Sequence, residues 1–313
     1  MTSMKGHHHI SMITKNAQQN NDFYTKVLGL RRVNITVNQD SPDMYHLFYG
    51  DKIGAPGTEL TFFEIPMAGR THRGTNAITQ IGLFVPSFQS LLYWEQRLDE
   101  FGIATDGIGR YAGRAALQFE DREGLRLVLV NLQDEVIPTQ WVAWDNGDVA
   151  FEHRILGMGP IELTVREPQK TIDFLSQLFG YSPVEEKSGV IRIQTNEGGV
   201  FSELVVVQQD GIEERPGRGS IHHVALRAES IEQLHQWQEK LAEMGYINSG
   251  EVDRHYFRSL YVRDDNNILF EIATDEPGYL HYFDEKDLGK SLHLPTKLEG
   301  CREEIEAMLK PLQ

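Results

Sequence analysis

A single cysteine, Cys301, stands in 313 residues, so the chain can close no disulfide within itself and build no cysteine-rich metal site. Basic residues are scarce beside acidic ones: 30 Lys and Arg against 46 Asp and Glu leave a formal charge of −16. Nucleic acid and anionic membrane surfaces both select a cationic face, so neither is expected as a partner. Long apolar runs are missing too, and none approaches the roughly 18 residues of a membrane span. Met1–His9 lacks the apolar segment of a signal peptide. With no disulfide to form, the chain reads as cytoplasmic. What is present is ordinary globular material, 40% hydrophobic and 24% charged, enough for about two domains.

The most informative feature is a fourfold internal repeat. Four amphipathic segments each end on a glycine: Phe23–Gly29, Trp94–Gly102, Phe174–Gly180 and Trp237–Gly245. Apolar residues at three- and four-residue steps give each a single buried helical face, and each Gly suits a left-handed helix end. Short alternating strands open the units at His9, Gln80, Glu162 and His223. Others close them at Thr61–Ile65, Arg126–Val130, Glu203–Val207 and Ile268–Ile272. Turn-rich Asp121–Gly124 and Asp264–Asn267 precede two of the closing strands, as tight hairpins require. The unit is therefore βαβββ. His7-His8-His9 runs directly into the strand pattern Ile10–Ile13 and reads as native strand, not as the remnant of a tag.

This plan resembles the vicinal oxygen chelate superfamily, which includes glyoxalase I and the type I extradiol dioxygenases. The resemblance spans residues 7–274 and implies an α+β protein of four βαβββ units forming two half-open eight-stranded barrels around a metal. We expect one half over residues 1–132 (units 1 and 2), a linker over 133–157 and a second half over 158–275 (units 3 and 4). A tail over 276–313 should carry a helix at Leu298–Leu309.

Each unit offers an inward position on its first strand and another on its last. The pairs are His9 and Glu64, Gln80 and Val128, Glu162 and Val205 or Val206, and His223 and Glu271. Two neutral imidazoles and one carboxylate form the triad of non-haem Fe(II) oxygenases. Unit 4 supplies His223 and Glu271, so a further His is needed, and His9 of unit 1 meets the need. Units 1 and 4 must then share the metal barrel. The simpler pairing of units 3 and 4 would place Glu162 at the metal and give a His-Glu-Glu site. In each His-His pair the residue five positions before the strand end is selected, leaving His8 and His222 flanking the site with near-neutral pKa values suited to proton transfer. Glu271 lies in an apolar run, where an unpaired carboxylate is costly. Glu64 reads as a weaker ligand candidate, an outer group, or the partner of an Arg.

A narrower resemblance rests on Gly6–Met12, Gly217–Ala225, Asp253–Tyr261 and Leu269–Asp275. These segments look like the ring-cleaving hydroquinone dioxygenases of the chlorohydroquinone and methylhydroquinone-inducible type. The resemblance implies His9, His223 and Glu271 as ligands of Fe(II), with Mn(II) as the alternative. It also implies His8, Ser11, His222, Arg254 and Tyr261 around them, a small aromatic substrate, and O2. His222 would move protons, and Arg254 with Tyr261 would hold developing negative charge. Arg258 and Arg263 read as surface residues, and Tyr256 as packing. Two other classes compete: a glyoxalase-like isomerase or lyase, which wants a fourth protein ligand, and a metal-free small-molecule binder. A hydroquinone-type against a catechol-type substrate, the ring substituents and the oligomeric state, a homo-oligomer included, are open at this level.

Overall fold

The computed structural model describes residues 3–145 and 147–313. Each unit reads strand, helix, three strands. Unit 1 comprises β1 (His7–Thr14), α1 (Ala17–Asp22), β2 (Arg31–Asn38), β3 (Ser41–Gly50) and β4 (Glu59–Glu64). Unit 2 comprises β5 (Ala77–Val85), α2 (Phe88–Glu100), β6 (Thr105–Tyr111), β7 (Arg114–Glu120) and β8 (Arg126–Asn131). Unit 3 comprises β9 (Gly157–Val165), α3 (Pro168–Phe179), β10 (Tyr181–Lys187), β11 (Val190–Thr195) and β12 (Leu204–Gln208). Unit 4 comprises β13 (Ile221–Ala228), α4 (Ile231–Glu243), β14 (Val252–Asp253), β15 (Phe257–Arg263) and β16 (Leu269–Pro277).

The helices form where the sequence directs them. Side chains of Asn16, Ser87 and Ser230 accept hydrogen bonds from the first free amides of α1, α2 and α4. Gly29, Gly102, Gly180 and Gly245 all take the left-handed conformation, which ends the helices without steric penalty. In unit 1 the short α1 continues as a π-helical turn over Phe23–Val27, so its glycine follows a widened last turn. Buried faces, such as Leu91, Trp94 and Leu98 of α2 and Leu234, Trp237 and Leu241 of α4, pack on the strands. The turn-rich stretches work through their first residue: Asp121 accepts from the amides of Glu123 and Leu125, and Asp264 from those of Asn266 and Ile268.

Two eight-stranded sheets result. One has the order β14-β15-β16-β13-β1-β4-β3-β2, the other β10-β11-β12-β9-β5-β8-β7-β6. Units 1 and 4 thus share one curled sheet and units 2 and 3 the other, the pairing that the ligand count demands. In each sheet the first strands of the two units meet antiparallel at the centre, and each is flanked in parallel by its own closing strand.

The connection between β8 and β9 packs back on unit 1. The Trp141 indole donates to the Pro56 carbonyl at 2.9 Å, and Asp51 accepts from the Val142 amide at 2.9 Å. Trp141 fills the space that side chains at Gly57 and Gly157 would occupy; a Cβ on Gly157 would lie 2.5 Å from the ring. Gly157→Ala is therefore expected to destabilise the fold by roughly 1–3 kcal/mol through overpacking. The change should appear as a lowered urea midpoint with an unaltered slope. The tail runs from Gly278 around the first sheet, and its last helix, α5 (Arg302–Met308), follows a 3-10 turn over Glu299–Cys301. Ile305 packs there with Val37 and Leu294.

Candidate metal centre

Three buried side chains, His9, His223 and Glu271, bring one ligand atom each to within 4.8 Å of the others. Register explains how. Across the centre of the first sheet, His9 faces Ala225, Ala225 faces Glu271, and Glu271 faces Tyr261. Ser11 faces His223 one step along. The small side chain of Ala225 leaves open space between the imidazole of His9 and the carboxylate of Glu271. His9 Nε2 lies 3.2 Å and His223 Nε2 2.7 Å from Glu271 Oε2. Yet His223 Nε2 and Glu271 Oε2 are both buried without a hydrogen-bond partner. Three ligand atoms brought this close form a group that could hold a cation.

The electrostatics agree. Burial pushes the Glu271 carboxyl up, but the imidazoles of His9 and His223 more than reverse this and hold it well below the usual range. Burial lowers His223 and so favours its neutral, ligating form, with Glu271 opposing. A carboxylate with no exposed surface is costly unless a cation pairs with it. The second oxygen, Oε1, accepts from the Ser259 hydroxyl and is thereby oriented. A divalent ion fits this donor set, two nitrogens and one oxygen with positions left open.

His8 and His222 reach the same face because of two β-bulges. From His7 to His9 the first strand advances two residues while its partner advances one, which makes His8 the extra residue. From Ile221 to His223 the opposite holds, which makes His222 the extra one. Strict alternation would have turned both rings away. Instead His8 Nδ1 meets His9 Nδ1 at 2.9 Å, and His222 Nδ1 meets His223 Nδ1 at 2.7 Å.

The first contact sets the tautomers. His8 Nε2 lies 3.1 Å from the Thr274 carbonyl and must donate to it. Neutral His8 then accepts at Nδ1, so His9 carries its proton on Nδ1 and presents a lone pair at Nε2. Burial above all brings His8 down to about 3, which keeps its ring neutral. His222 lines the cavity mouth and is brought down to about 4, by desolvation first and His223 second.

A cavity of about 250 Å³ is lined by the three candidate ligands, with Ser11, Phe63, Phe257 and Tyr261 also on its walls. Arg254 closes one side: its Nε donates to the Tyr261 hydroxyl at 3.0 Å, and Nη1 pairs with Asp40 at 3.0 Å. That ion pair, with the Gln39 amide on the Arg254 carbonyl at 2.8 Å, joins the two edges of the curled sheet. Arg258 pairs with Glu251 and Asp253, and Arg263 with the Asn267 carbonyl, both away from the cavity lining.

Glu64 is a correction. Its carboxylate accepts from the Ala17 amide at 2.8 Å at the start of α1, and among the described residues it has no Arg ion pair and lies outside the candidate ligand group. The reason is register. Ala225 faces Glu271 in unit 4 just as Ser11 faces Thr61 in unit 1, so Thr61 holds the equivalent place and Glu64 lies three residues beyond. Ser11 is hydrogen-bonded to Thr61 at 2.7 Å. Glu162 belongs to the other sheet, where Thr79 donates to it at 2.8 Å and it faces a separate cavity with Gln80 and Arg126.

Sequence reasoning missed His46 and Ser259. The His46 ring lies between Phe48 and Phe63, each at 4.1 Å, and contacts the Thr61 hydroxyl at 3.0 Å. Burial, then His9 and His223, lower its pKa far below the ordinary value. The available signal was period two: His46 alternates with Phe48 and Ser259 with Tyr261, which puts them on the cavity face. Tyr256, expected as packing, is buried and also lines the cavity.

Comparison with known proteins adds the family context. Residues 6–129 and 157–272 match the model of the Glyoxalase/Bleomycin resistance protein/Dioxygenase superfamily. The chain is 44% identical to "Putative ring-cleaving dioxygenase MhqA" of Bacillus subtilis, over 99% of both chains. It is 27% identical to the "Chlorohydroquinone/hydroquinone 1,2-dioxygenase" of Sphingobium indicum, over 96% of this chain and 95% of that one. A solved Bacillus subtilis structure described as a "putative dioxygenase" superposes with a TM-score of 0.93 at 33% identity, covering 100% of this chain and 99% of that one. Glyoxalase I from Zea mays shares the fold at a TM-score of 0.63 and 11% identity, over 86% of this chain and 92% of that one.

Proposed function

The chain belongs to the glyoxalase/bleomycin resistance protein/dioxygenase superfamily, and from that premise we propose that it is a ring-cleaving dioxygenase, with Fe(II) at His9, His223 and Glu271 and a hydroquinone-type ring as substrate. The carrying observation is the convergence of three buried ligand atoms, two of them without partners, on the floor of a cavity sized for one small ring. Mn(II) suits the same donors. When bound, such a redox-active ion supplies an electron path between ring and O2 that Zn(II) lacks.

The chain's own groups do the rest. His8 and Ser259 fix the orientation of His9 and Glu271. Phe63 and Phe257 give the cavity apolar wall that excludes water. Neutral His222 accepts from His223 at Nδ1, so its Nε2 carries the proton and can donate a hydrogen bond to a substrate oxygen in the cavity it lines. Arg254, braced by Tyr261, faces the cavity with a fixed positive charge that steadies oxyanions as the ring opens. A glyoxalase-like isomerase would want a fourth ligand, and the described residues form a group of three.

Anaerobic loading with Fe(II), then measurement of oxygen uptake, tests this reading. Methylhydroquinone should be consumed with O2 uptake, and catechol more slowly. Protein confirmed to hold Fe(II) that takes up oxygen with neither compound would defeat the proposal. Exclusive activation by Zn or Ni would favour the isomerase.

A further inference from the structure

The cavity has a second polar wall that the metal centre does not use. Thr36 of β2 lines it, and its hydroxyl is buried without a partner. Two residues away on the same strand, Asn34 is 1% exposed, and neither its amide nitrogen nor its oxygen has a partner. Gln39 Oε1 is buried unpartnered as well. The Tyr256 hydroxyl reaches the same wall, hydrogen-bonded to His293 Nδ1 at 2.6 Å. Asn34 and Thr36 approach its oxygen, although neither makes a directed bond.

Unmet buried polar groups are costly, and native folds keep few of them. Their place is informative. The ligands sit on β1, β13 and β16 at the centre of the sheet, whereas Asn34 and Thr36 sit on β2, its edge strand, with β4 and β3 between. The sheet curls so that this edge and the segment after β14 meet, and Tyr256 belongs to that segment. One continuous cavity therefore has cation ligands at one end and neutral hydrogen-bonding groups elsewhere on its wall.

We propose that Thr36 and Tyr256, backed by Asn34, form a subsite for a second ring hydroxyl remote from the one on the metal. The inference rests on the aromatic-substrate reading above and deepens it. An ortho-diphenol turns both hydroxyls toward the metal and leaves this wall unmet. A para-diphenol points its hydroxyls in opposite directions and satisfies both ends. Thr36 can accept the phenolic proton while Tyr256 or Thr36 donates to the phenolic oxygen.

Binding to anaerobic, Fe(II)-loaded protein tests the subsite without turnover. Titration calorimetry would compare hydroquinone with 4-methylphenol, which replaces the distal hydroxyl by a methyl group. The native protein should prefer hydroquinone by roughly 10- to 100-fold. Thr36→Val and Tyr256→Phe should each shrink that preference by weakening hydroquinone alone, and Thr36→Ser should restore it. Unchanged 4-methylphenol binding shows that the variants remain folded and loaded. Equal affinity of the native protein for both phenols, binding of neither, or an undiminished preference in both variants would overturn the subsite. Oxygen uptake with an undiminished preference sinks the subsite and spares the dioxygenase reading. A discriminating protein that consumes no oxygen does the reverse.

Discussion

His9→Ala is expected to lower retention of divalent metal by at least about 100-fold, and Glu162→Ala to leave it unchanged. Loss of an outer hydrogen-bonding partner costs about 10- to 100-fold in metal affinity, so loss of a ligand should cost more. Without His9, only His223 and Glu271 remain to hold the ion, and His8 Nδ1 loses its donor. Glu162 lies in the sheet of units 2 and 3, bonded to Thr79, and shares no wall with the ligand group. Metal content after dialysis against a weak chelator provides the measurement. The rise in melting temperature on adding metal provides a second, because an ion that binds only the folded chain stabilises it. That rise should vanish in His9→Ala. Metal loss from Glu162→Ala together with retention by His9→Ala would mean that the ligands come from units 3 and 4.

The second large effect is on stability. Arg114→Met combined with Arg192→Met is expected to destabilise the chain by about 3–5 kcal/mol. Glu203 has no exposed surface; its Oε2 pairs with Arg114 Nη1 at 3.0 Å and its Oε1 with Arg192 Nε at 2.7 Å. Removing both cations strands a buried carboxylate, which costs far more than an exposed pair is worth. The Glu203 carbonyl also meets His7 Nε2 at 3.3 Å, so the network sits where the second sheet touches the strand that carries His9. Urea unfolding gives the number, and Glu203→Gln in the double variant should recover part of it by abolishing the stranded charge. A double variant as stable as the parent would show that this ion cluster is an ornament of the interior.

Much of this protein is legible in its sequence. Four glycines that demand left-handed backbone, four amphipathic helices and the strands around them set the βαβββ unit, because these are local preferences of a few residues each. The ligand candidates followed from chemistry: His9, His223 and Glu271 are three of the four inward polar groups read in units 1 and 4, and Glu64, the weaker candidate, is the fourth. The need for a second imidazole beside His223 and Glu271 implied that those units share a sheet, as they do.

Other features required three dimensions. Glu64 and Thr61 are both polar residues of one closing strand, and only the ladder with β1 puts Thr61 in the place of Glu271. The bulges at His8 and His222 insert one residue each between paired strands, a choice made by the partner and invisible in either strand alone. Thr36 and Asn34 lie far from Tyr256 in the chain and meet it because the sheet curls until its edges touch through Asp40 and Arg254. Residue type and spacing therefore determined the repeat and the chemistry available to it. Register and curvature, which depend on hydrogen bonds between distant strands, decided which of those residues face one another.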